Sequence, residues 1–233
     1  MKANRLLKVA LLALAAVVGL CVCWKLSRLT ESTSLIRLRP NPMYLSANVA
    51  LAKSANRVVY MGDSITQYWP LAKSFPSRNF VDRGISAQTT GDMLLRFRQD
   101  VVDLRPATVV IQGGVNDILN RDSRDTEEAS IPAIESNLAS MADIAEQNHI
   151  RPVFGSVLPV DKRLLDHVHP KTLLILNRWI EDFCAKRGYS YLNYYDSLTD
   201  RQGYFRTGLT NDGLHPNAAG YALMSAVIGR LPL

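Results

Sequence analysis

The chain has 233 residues, of which 47% are hydrophobic and 21% are charged; this is enough apolar material for one mid-sized domain and excludes a chain that is disordered throughout. The formal net charge is +6, but eight of the 27 basic residues and only one of the 21 acidic residues lie in residues 1–56. Because the rest of the chain is nearly neutral, its charge excludes electrostatic binding of nucleic acid by the folded part.

The N-terminus has the pattern of an export signal. An uncharged, mostly apolar run over residues 9–24 follows three basic residues, Lys2, Arg5 and Lys8. This pattern predicts a signal anchor or signal peptide over residues 1–24. The run ends in "CVCWK" without a small-x-small cleavage site, which favours the uncleaved anchor. We therefore expect an exported protein, anchored in the inner membrane with its domain in the periplasm or outside the cell, or secreted if the leader is cleaved.

Residues 25–56 are predicted to form a polar, basic linker, and residues 57–233 a single domain. In that domain, short runs rich in β-branched residues alternate with amphipathic patterns. The runs predict strands over 57–62, 79–84, 107–114, 151–159 and 189–198, and the patterns predict helices over 89–104, 127–148, 171–188 and 216–231. Such alternation is typical of βαβ units, so we expect the α/β class with a parallel sheet and helices on both faces.

Polar residues follow the first three predicted strands. Asp63 and Ser64 follow the first, Gly84 and Ser86 the second, and residues 113–117, "GGVND", the third. Ligands of parallel α/β sheets bind beyond the carboxyl ends of the strands. The three clusters are therefore expected to converge at one edge of the sheet.

Ser64 lies at the strand-to-helix turn in "MGDSITQ". Serine is a common helix N-cap, and this is the first interpretation. The second is a nucleophile, because the helix N-terminus that follows suits an anion forming near the hydroxyl. An alcohol is a weak nucleophile and needs a base. Whether Ser64 is a nucleophile therefore depends on whether a histidine can serve as that base.

His215 is the candidate base. It lies in "TNDGLHPNAAGY", three residues after Asp212. This spacing lets the carboxylate accept from the imidazole Nδ1–H and leaves Nε2 free for a serine. An Asx-type turn before Pro216 is the alternative interpretation. His167 and His169 have no cysteine or acidic cluster beside them, so no metal site is expected there.

Three groups could form an oxyanion hole. Gly84 can present its backbone N–H without a side chain in the way, Asn116 offers a neutral amide donor, and the N–H of Ser64 is the third. Each has a simpler alternative: Gly84 could serve only a turn, and Asn116 could be a loop residue in the left-handed region.

Four short motifs resemble the blocks of the SGNH (GDSL-type) hydrolase family. They are "GDSIT" with Ser64, "RGISAQTT" with Gly84, "GGVNDI" with Asn116, and "DGLHP" with Asp212 and His215. The resemblance runs in order over residues 57–230. The stretch "ISAQTTGDMLLRFRQDVVDLRP" is similar to the bacterial esterases related to lysophospholipases and platelet-activating-factor acetylhydrolases.

The resemblance implies a flavodoxin-like, three-layer α/β/α fold with a five-stranded parallel sheet. It also implies the site roles: Ser64 as nucleophile, His215 as base and then acid, and Asp212 as the residue that orients it. The oxyanion hole would comprise Ser64, Gly84 and Asn116. Next to these residues, Asp63 and Asp117 are interpreted as supports of the two loops, and Tyr68 and Trp69 as either pocket-lining or core residues.

The reaction implied is hydrolysis of carboxylic esters through an acyl-serine intermediate, without a metal or an organic cofactor. The expected partners are a small-molecule, lipid or glycan acyl ester and the membrane at the N-terminal anchor, with no nucleic acid. An acyltransferase acting on envelope glycans would need the same triad and is the first alternative. A non-catalytic envelope binding domain with the same fold is the second.

Overall fold

A computed structural model describes residues 40–52, 54–121 and 125–229. The predicted leader and residues 25–39 of the predicted linker lie outside these ranges. Within them, no helix combines the length and the apolar character needed to cross a membrane.

The compact domain begins N-terminally of the predicted boundary. It includes the chain from Asn41 onward and starts with helix α1, Leu45–Ala50. The hydroxyl of Tyr44 donates to the carbonyl of Gly84 at 2.6 Å, and Asn48 Nδ2 donates to Asp100 Oδ1 at 2.7 Å. Residues 41–52 are therefore part of the domain surface next to the second strand, although the sequence predicted linker there.

Five parallel strands form one sheet in the order β2-β1-β3-β4-β5. Their bounds are β1 Val58–Gly62, β2 Phe80–Gly84, β3 Thr108–Gln112, β4 Arg151–Gly155 and β5 Ser190–Leu192. The three central strands are buried almost throughout, which explains their unbroken apolar runs. The chain moves from β1 to β2 on one side and then to β3 on the other, so a ligand crevice is expected at the carboxyl end of β1.

Helices cover both faces of the sheet, which confirms the expected α/β fold. The remaining helices are α2 Ser64–Gln67, α3 Leu71–Ser74, α4 Thr90–Asp100, α5 Val115–Leu119, α6 Ile131–Gln147, α7 Pro170–Arg187, α8 Tyr194–Leu198 and α9 Ala218–Ile228. Pro132 lies in the first turn of α6, where its missing N–H costs no hydrogen bond. Gly188 ends α7 at a φ of 72°.

The predicted fifth strand is wrong in its second half. Only Ser190–Leu192 pairs with β4, and the chain then turns into α8. The side chain of Asn193 caps this helix by accepting from the N–H of Asp196 at 3.1 Å. The run "YYDSL" is apolar enough to suit a strand. The cap at Asn193 is the feature that favours a helix over it.

An aromatic cluster lies under the first helices after β1. Trp69 packs edge-on against Tyr60 and Tyr194 and stacks on Tyr221, and it is only 5% exposed. The hydroxyl of Tyr221 donates to the carbonyl of Ile65 at 2.8 Å. This packing holds α2 against the core and so fixes the turn that precedes it.

Candidate active site

The turn between β1 and α2 presents Ser64. Asp63 is the helix cap, because its Oδ1 accepts from the N–H of Ile65 at 2.9 Å. The hydroxyl of Ser64, the first residue of α2, is therefore not used for capping. The turn is tight: a Cβ at Gly62 would lie 2.1 Å from Thr66 Oγ1, so only glycine fits there.

The side chain of His215 reaches Ser64 from the loop before α9. Its Nε2 lies 2.8 Å from Ser64 Oγ, and its Nδ1 lies 2.6 Å from Asp212 Oδ2. An ionised carboxylate can only accept, so Nδ1 carries the proton and Nε2 offers its lone pair to the serine hydroxyl. The structure thus brings together the serine, the histidine and the aspartate that the sequence singled out.

The loop that carries Asp212 contains both of the arrangements considered for it. Its Oδ1 accepts from the N–H groups of His215 at 2.8 Å and Leu214 at 2.9 Å, which is an Asx-type turn. Its Oδ2 meanwhile accepts from the imidazole. Partial burial raises the pKa of Asp212. The hydrogen bonds from His215 and Leu214 lower it by more, so the pKa lies well below its usual range. Asp212 is therefore ionised at neutral pH.

Asn116 lies in the first turn of α5, just past the carboxyl end of β3. It is 7% exposed, and its Nδ2 donates one hydrogen to the carbonyl of Gln88 at 3.0 Å; the second amide hydrogen has no acceptor among the described residues. The neighbouring Asp117 accepts from the N–H of Thr90 at 2.9 Å and from its hydroxyl at 2.6 Å. These bonds join the loop after β3 to the loop after β2, the supporting role predicted for Asp117.

The prediction that Gly84 donates its N–H to an oxyanion is wrong. That N–H donates to Asp82 Oδ1 at 2.6 Å, and the carbonyl of Gly84 accepts from Tyr44. The glycine is needed for close packing, because a Cβ there would lie 2.2 Å from the backbone nitrogen of Gln67 in α2. Gly84 therefore allows β2 to approach the turn between β1 and α2.

Ala87 offers the backbone donor that was expected at Gly84. Its N–H is the one in residues 84–90 without an acceptor among the residues that the structure describes. Ala87 is exposed and has a φ of 62°, a conformation that L-residues rarely adopt. No sequence signal marked Ala87, because an alanine does not indicate a positive φ in the way that a glycine does.

The two aromatic residues after the turn between β1 and α2 have different surroundings. Tyr68 is 55% exposed, and its ring lies 5.3 Å from that of His215 in an edge-to-face arrangement. The hydroxyl of Ser86 donates to the hydroxyl of Tyr68 at 3.1 Å. Tyr68 thus borders His215, whereas Trp69 lies in the core described above.

His169 also pairs with an acid, but away from this site. Its Nδ1 lies 2.5 Å from Glu127 Oε1, and its N–H donates to Glu127 Oε2 at 2.8 Å. Glu127 lies in the turn before α6, and His169 immediately precedes α7. In the described ranges, no three metal-ligating side chains of the His, Cys, Asp and Glu types come together.

Burial of Asp63 makes the stability of the domain depend on pH. Burial raises its pKa to about 7, although the hydrogen bond from Ile65 lowers it. The folded protein therefore keeps a proton that the unfolded chain releases near pH ~4, and stability falls as the pH rises from there towards the folded-state pKa. Asp63→Asn keeps an oxygen for the Ile65 N–H and lacks the titration.

We expect Asp63→Asn to lose less stability than the wild type between about pH 5 and about pH 8. Urea unfolding of both proteins at the two pH values measures the difference. Parallel pH dependence in the two proteins would show that Asp63 does not titrate in this range.

The sequence matches the model of the GDSL-like lipase/acylhydrolase family over residues 60–223. A comparison with curated protein sequences gives no match. The matched range includes Ser64, Ala87 and Asn116 and the loop that carries Asp212 and His215.

Solved structures agree with this assignment. A GDSL-like lipase from Bacteroides thetaiotaomicron shares 34% identity, with 81% of this chain and 94% of that chain covered and a TM-score of 0.72. A proposed acylhydrolase from Bacteroides fragilis shares 31% identity, with 80% and 92% covered and a TM-score of 0.73. An acetylxylan esterase from Geobacillus stearothermophilus shares the fold at 17% identity, with 77% and 95% covered and a TM-score of 0.61. The chain therefore belongs to the GDSL-like lipase/acylhydrolase family and is a carboxylic ester hydrolase.

Proposed function

We propose that the protein hydrolyses acyl esters through an acyl-serine intermediate on Ser64. The observation that carries this proposal is the continuous hydrogen-bonded series from Ser64 Oγ to His215 Nε2 at 2.8 Å and from His215 Nδ1 to Asp212 Oδ2 at 2.6 Å. The hydroxyl points to a lone pair, and the opposite ring nitrogen is held by a carboxylate. This is the arrangement that turns a weak alcohol into a nucleophile.

Acylation and deacylation use the same groups in turn. His215 Nε2 takes the proton of Ser64 as Oγ attacks the carbonyl carbon, and then gives it to the alcohol oxygen as the ester bond breaks. A water next gives its proton to Nε2 and attacks the acyl carbon, and the carboxylic acid leaves as Oγ recovers the proton. Asp212 stays ionised and stabilises the imidazolium formed in each step.

The oxyanion is stabilised by three neutral donors in this proposal. They are the N–H of Ser64, the free Nδ2 hydrogen of Asn116 and the N–H of Ala87. Ser64 begins α2, so its N–H has no acceptor within that helix. Asn116 and Ala87 are held next to each other because Asn116 bonds to the carbonyl of Gln88.

Removal of one of these donors is expected to slow the chemical step. Asn116→Ala should lower kcat for p-nitrophenyl acetate about 10²–10³-fold with little change in KM, because the donor acts on charge that develops only in the transition state. Steady-state kinetics and the melting temperature measure the effect. Asn120→Ala, at the exposed end of the same helix, is the matched control and should behave as the wild type. A wild-type kcat in Asn116→Ala would show that Asn116 does not stabilise the oxyanion.

The proposed function is tested first on the wild type. A p-nitrophenyl ester series from acetyl to palmitoyl measures hydrolysis and ranks the acyl groups. Labelling by a fluorophosphonate, which modifies activated serines, is expected to reach one mole per mole of protein. An unlabelled protein that turns over none of these esters would contradict the proposal. Product analysis with and without a carbohydrate acceptor separates hydrolysis from acyl transfer.

The cellular location is proposed from the leader alone. Basic residues before the apolar run of residues 9–24, and the absence of a small-x-small site at the end of that run, support export with an uncleaved inner-membrane anchor. The N-terminal residue of the protein purified from membranes tests this. An N-terminus between residues 20 and 40 would instead indicate a cleaved signal peptide.

A further inference from the structure

Arg96 is the largest side chain that is fully buried in the described part of the domain. It lies on α4 between Met93 and Phe97, both of which face the core, and its own exposure is 0%. A buried guanidinium must have its charge compensated and its N–H groups bonded. The hydrogen-bond partners of Arg96 therefore show which parts of the domain the buried guanidinium connects.

One partner balances the charge. Arg96 Nη1 lies 3.0 Å from Asp100 Oδ2, and both side chains are completely buried. Asp100 Oδ1 in turn accepts from Asn48 Nδ2 at 2.7 Å, so helix α1 covers the pair from outside. The pair is thus neutral as a unit, and Asp100 has a second hydrogen-bond partner in Asn48.

The two other bonds of the guanidinium reach the candidate active site. Arg96 Nη2 donates to the carbonyl of Gly62 at 2.9 Å, two residues before Ser64. Arg96 Nε donates to the side-chain oxygen of Gln88, the residue after Ala87. The main-chain carbonyl of Gln88 accepts from Asn116. One planar group therefore bonds to the turn that carries Ser64 and to the loop that carries Ala87, and Asn116 bonds to the same loop through the carbonyl of Gln88.

We infer that Arg96 is a positioning residue for the oxyanion hole, which rests on the proposed function. Its fork is rigid and planar, so it fixes the distance between Gly62 and Gln88. Ser64 follows Gly62, and Ala87 and Asn116 are joined to Gln88. Arg96 thereby sets the spacing of the three donors without contacting the substrate.

Stability alone does not account for a charge at this position. A buried ion pair is seldom more stabilising than apolar side chains of the same volume, because the desolvation of two charges offsets their attraction. An apolar side chain at position 96 could fill the space of the arginine, just as Met93 and Phe97 fill the core positions beside it. It could not make directional bonds to both loops, and small errors of position are costly for groups that must match a transition state.

The test changes the bond between the arginine and the loop. Gln88→Met keeps the size of the side chain and removes the acceptor for Arg96, while the ion pair with Asp100 stays. We expect kcat for p-nitrophenyl acetate to fall about 10- to 100-fold with KM within about threefold of the wild type. Affinity for phenylboronic acid, whose serine adduct places an oxygen in the hole, should fall by a similar factor. The apparent pKa of the pH–rate profile should not change, because the histidine and its aspartate are untouched.

A second variant addresses the arginine itself. Arg96→Met combined with Asp100→Asn removes both buried charges together and keeps an amide for Asn48, so neither charge is left unpaired. It should show the same loss of kcat and of boronate affinity as Gln88→Met. Arg98→Met removes an exposed guanidinium from the same helix and should leave all parameters unchanged.

The outcomes separate the two claims. Wild-type kcat and boronate affinity in both Gln88→Met and the double variant would refute the role of Arg96 while the esterase mechanism stands. A lower melting temperature with wild-type kcat per folded molecule would likewise refute it and leave only a structural role. A wild type that neither hydrolyses the ester nor is labelled at Ser64 would instead overturn the proposed function before the variants are compared.

Discussion

Ser64→Ala is expected to lower kcat for p-nitrophenyl acetate about 10⁴-fold or more, because it removes the hydroxyl on which the acyl intermediate forms. The hydroxyl of Ser64 bonds to His215, and the residue is 6% exposed. Alanine fits the same space, and Asp63 continues to cap α2, so the melting temperature should change little. Labelling by the fluorophosphonate should disappear together with the activity.

The matched control for this substitution is Ser74→Ala. Ser74 is an exposed serine at the end of α3, and its loss should change neither activity nor labelling. Turnover in Ser64→Ala at the wild-type rate would refute the acyl-serine mechanism, whatever the geometry of the site.

Asp212→Asn is expected to lower kcat about 10³–10⁴-fold, because it reverses the hydrogen bond that fixes the imidazole. An asparagine oxygen can still accept from the N–H groups of Leu214 and His215, which keeps the turn intact. Its amide then points at His215 Nδ1 as a donor. The proton moves to Nε2, and the ring can no longer accept from Ser64.

Kinetics over a range of pH measure the effect of Asp212→Asn. The histidine also loses the carboxylate that stabilises its charged form, so activity should not recover at any pH at which the protein stays folded. Asp182→Asn, on the exposed face of α7, should keep wild-type kinetics. Activity of Asp212→Asn within a few-fold of the wild type would mean that Asp212 serves only the turn.

The fold was largely predictable from local patterns. Unbroken apolar runs predicted the central strands, because these strands are buried on both faces, and the amphipathic runs predicted α4, α6, α7 and α9. The error at residues 194–198 arose because an aromatic run satisfies both a strand and a capped helix. The structured segment before β1 was missed because helix α1 has no buried residue that could mark it in sequence. It is held by polar contacts of Tyr44 and Asn48.

The site was predictable where side-chain chemistry carries it. Residue type and position at strand ends singled out Ser64 and Asn116, and the three-residue spacing singled out Asp212 and His215. The structure brings Ser64, His215 and Asp212 into one hydrogen-bonded series. The backbone donor was not, because the N–H of Gly84 is engaged by an aspartate two residues earlier, and this depends on a side-chain rotamer. Arg96 did leave a signal: a charged residue stands on the apolar face of a helix between two core residues. Its meaning required the partners that only the fold brings together.

The acyl group on Ser64 can be detected by trapping the acyl-enzyme. Wild-type protein mixed with p-nitrophenyl butyrate and quenched in acid within the first turnover is digested and analysed by mass spectrometry. We expect one butyryl group on Ser64, and a burst of p-nitrophenol equal to the amount of enzyme if deacylation is the slower step. A butyryl group on any other residue during productive turnover would contradict this expectation.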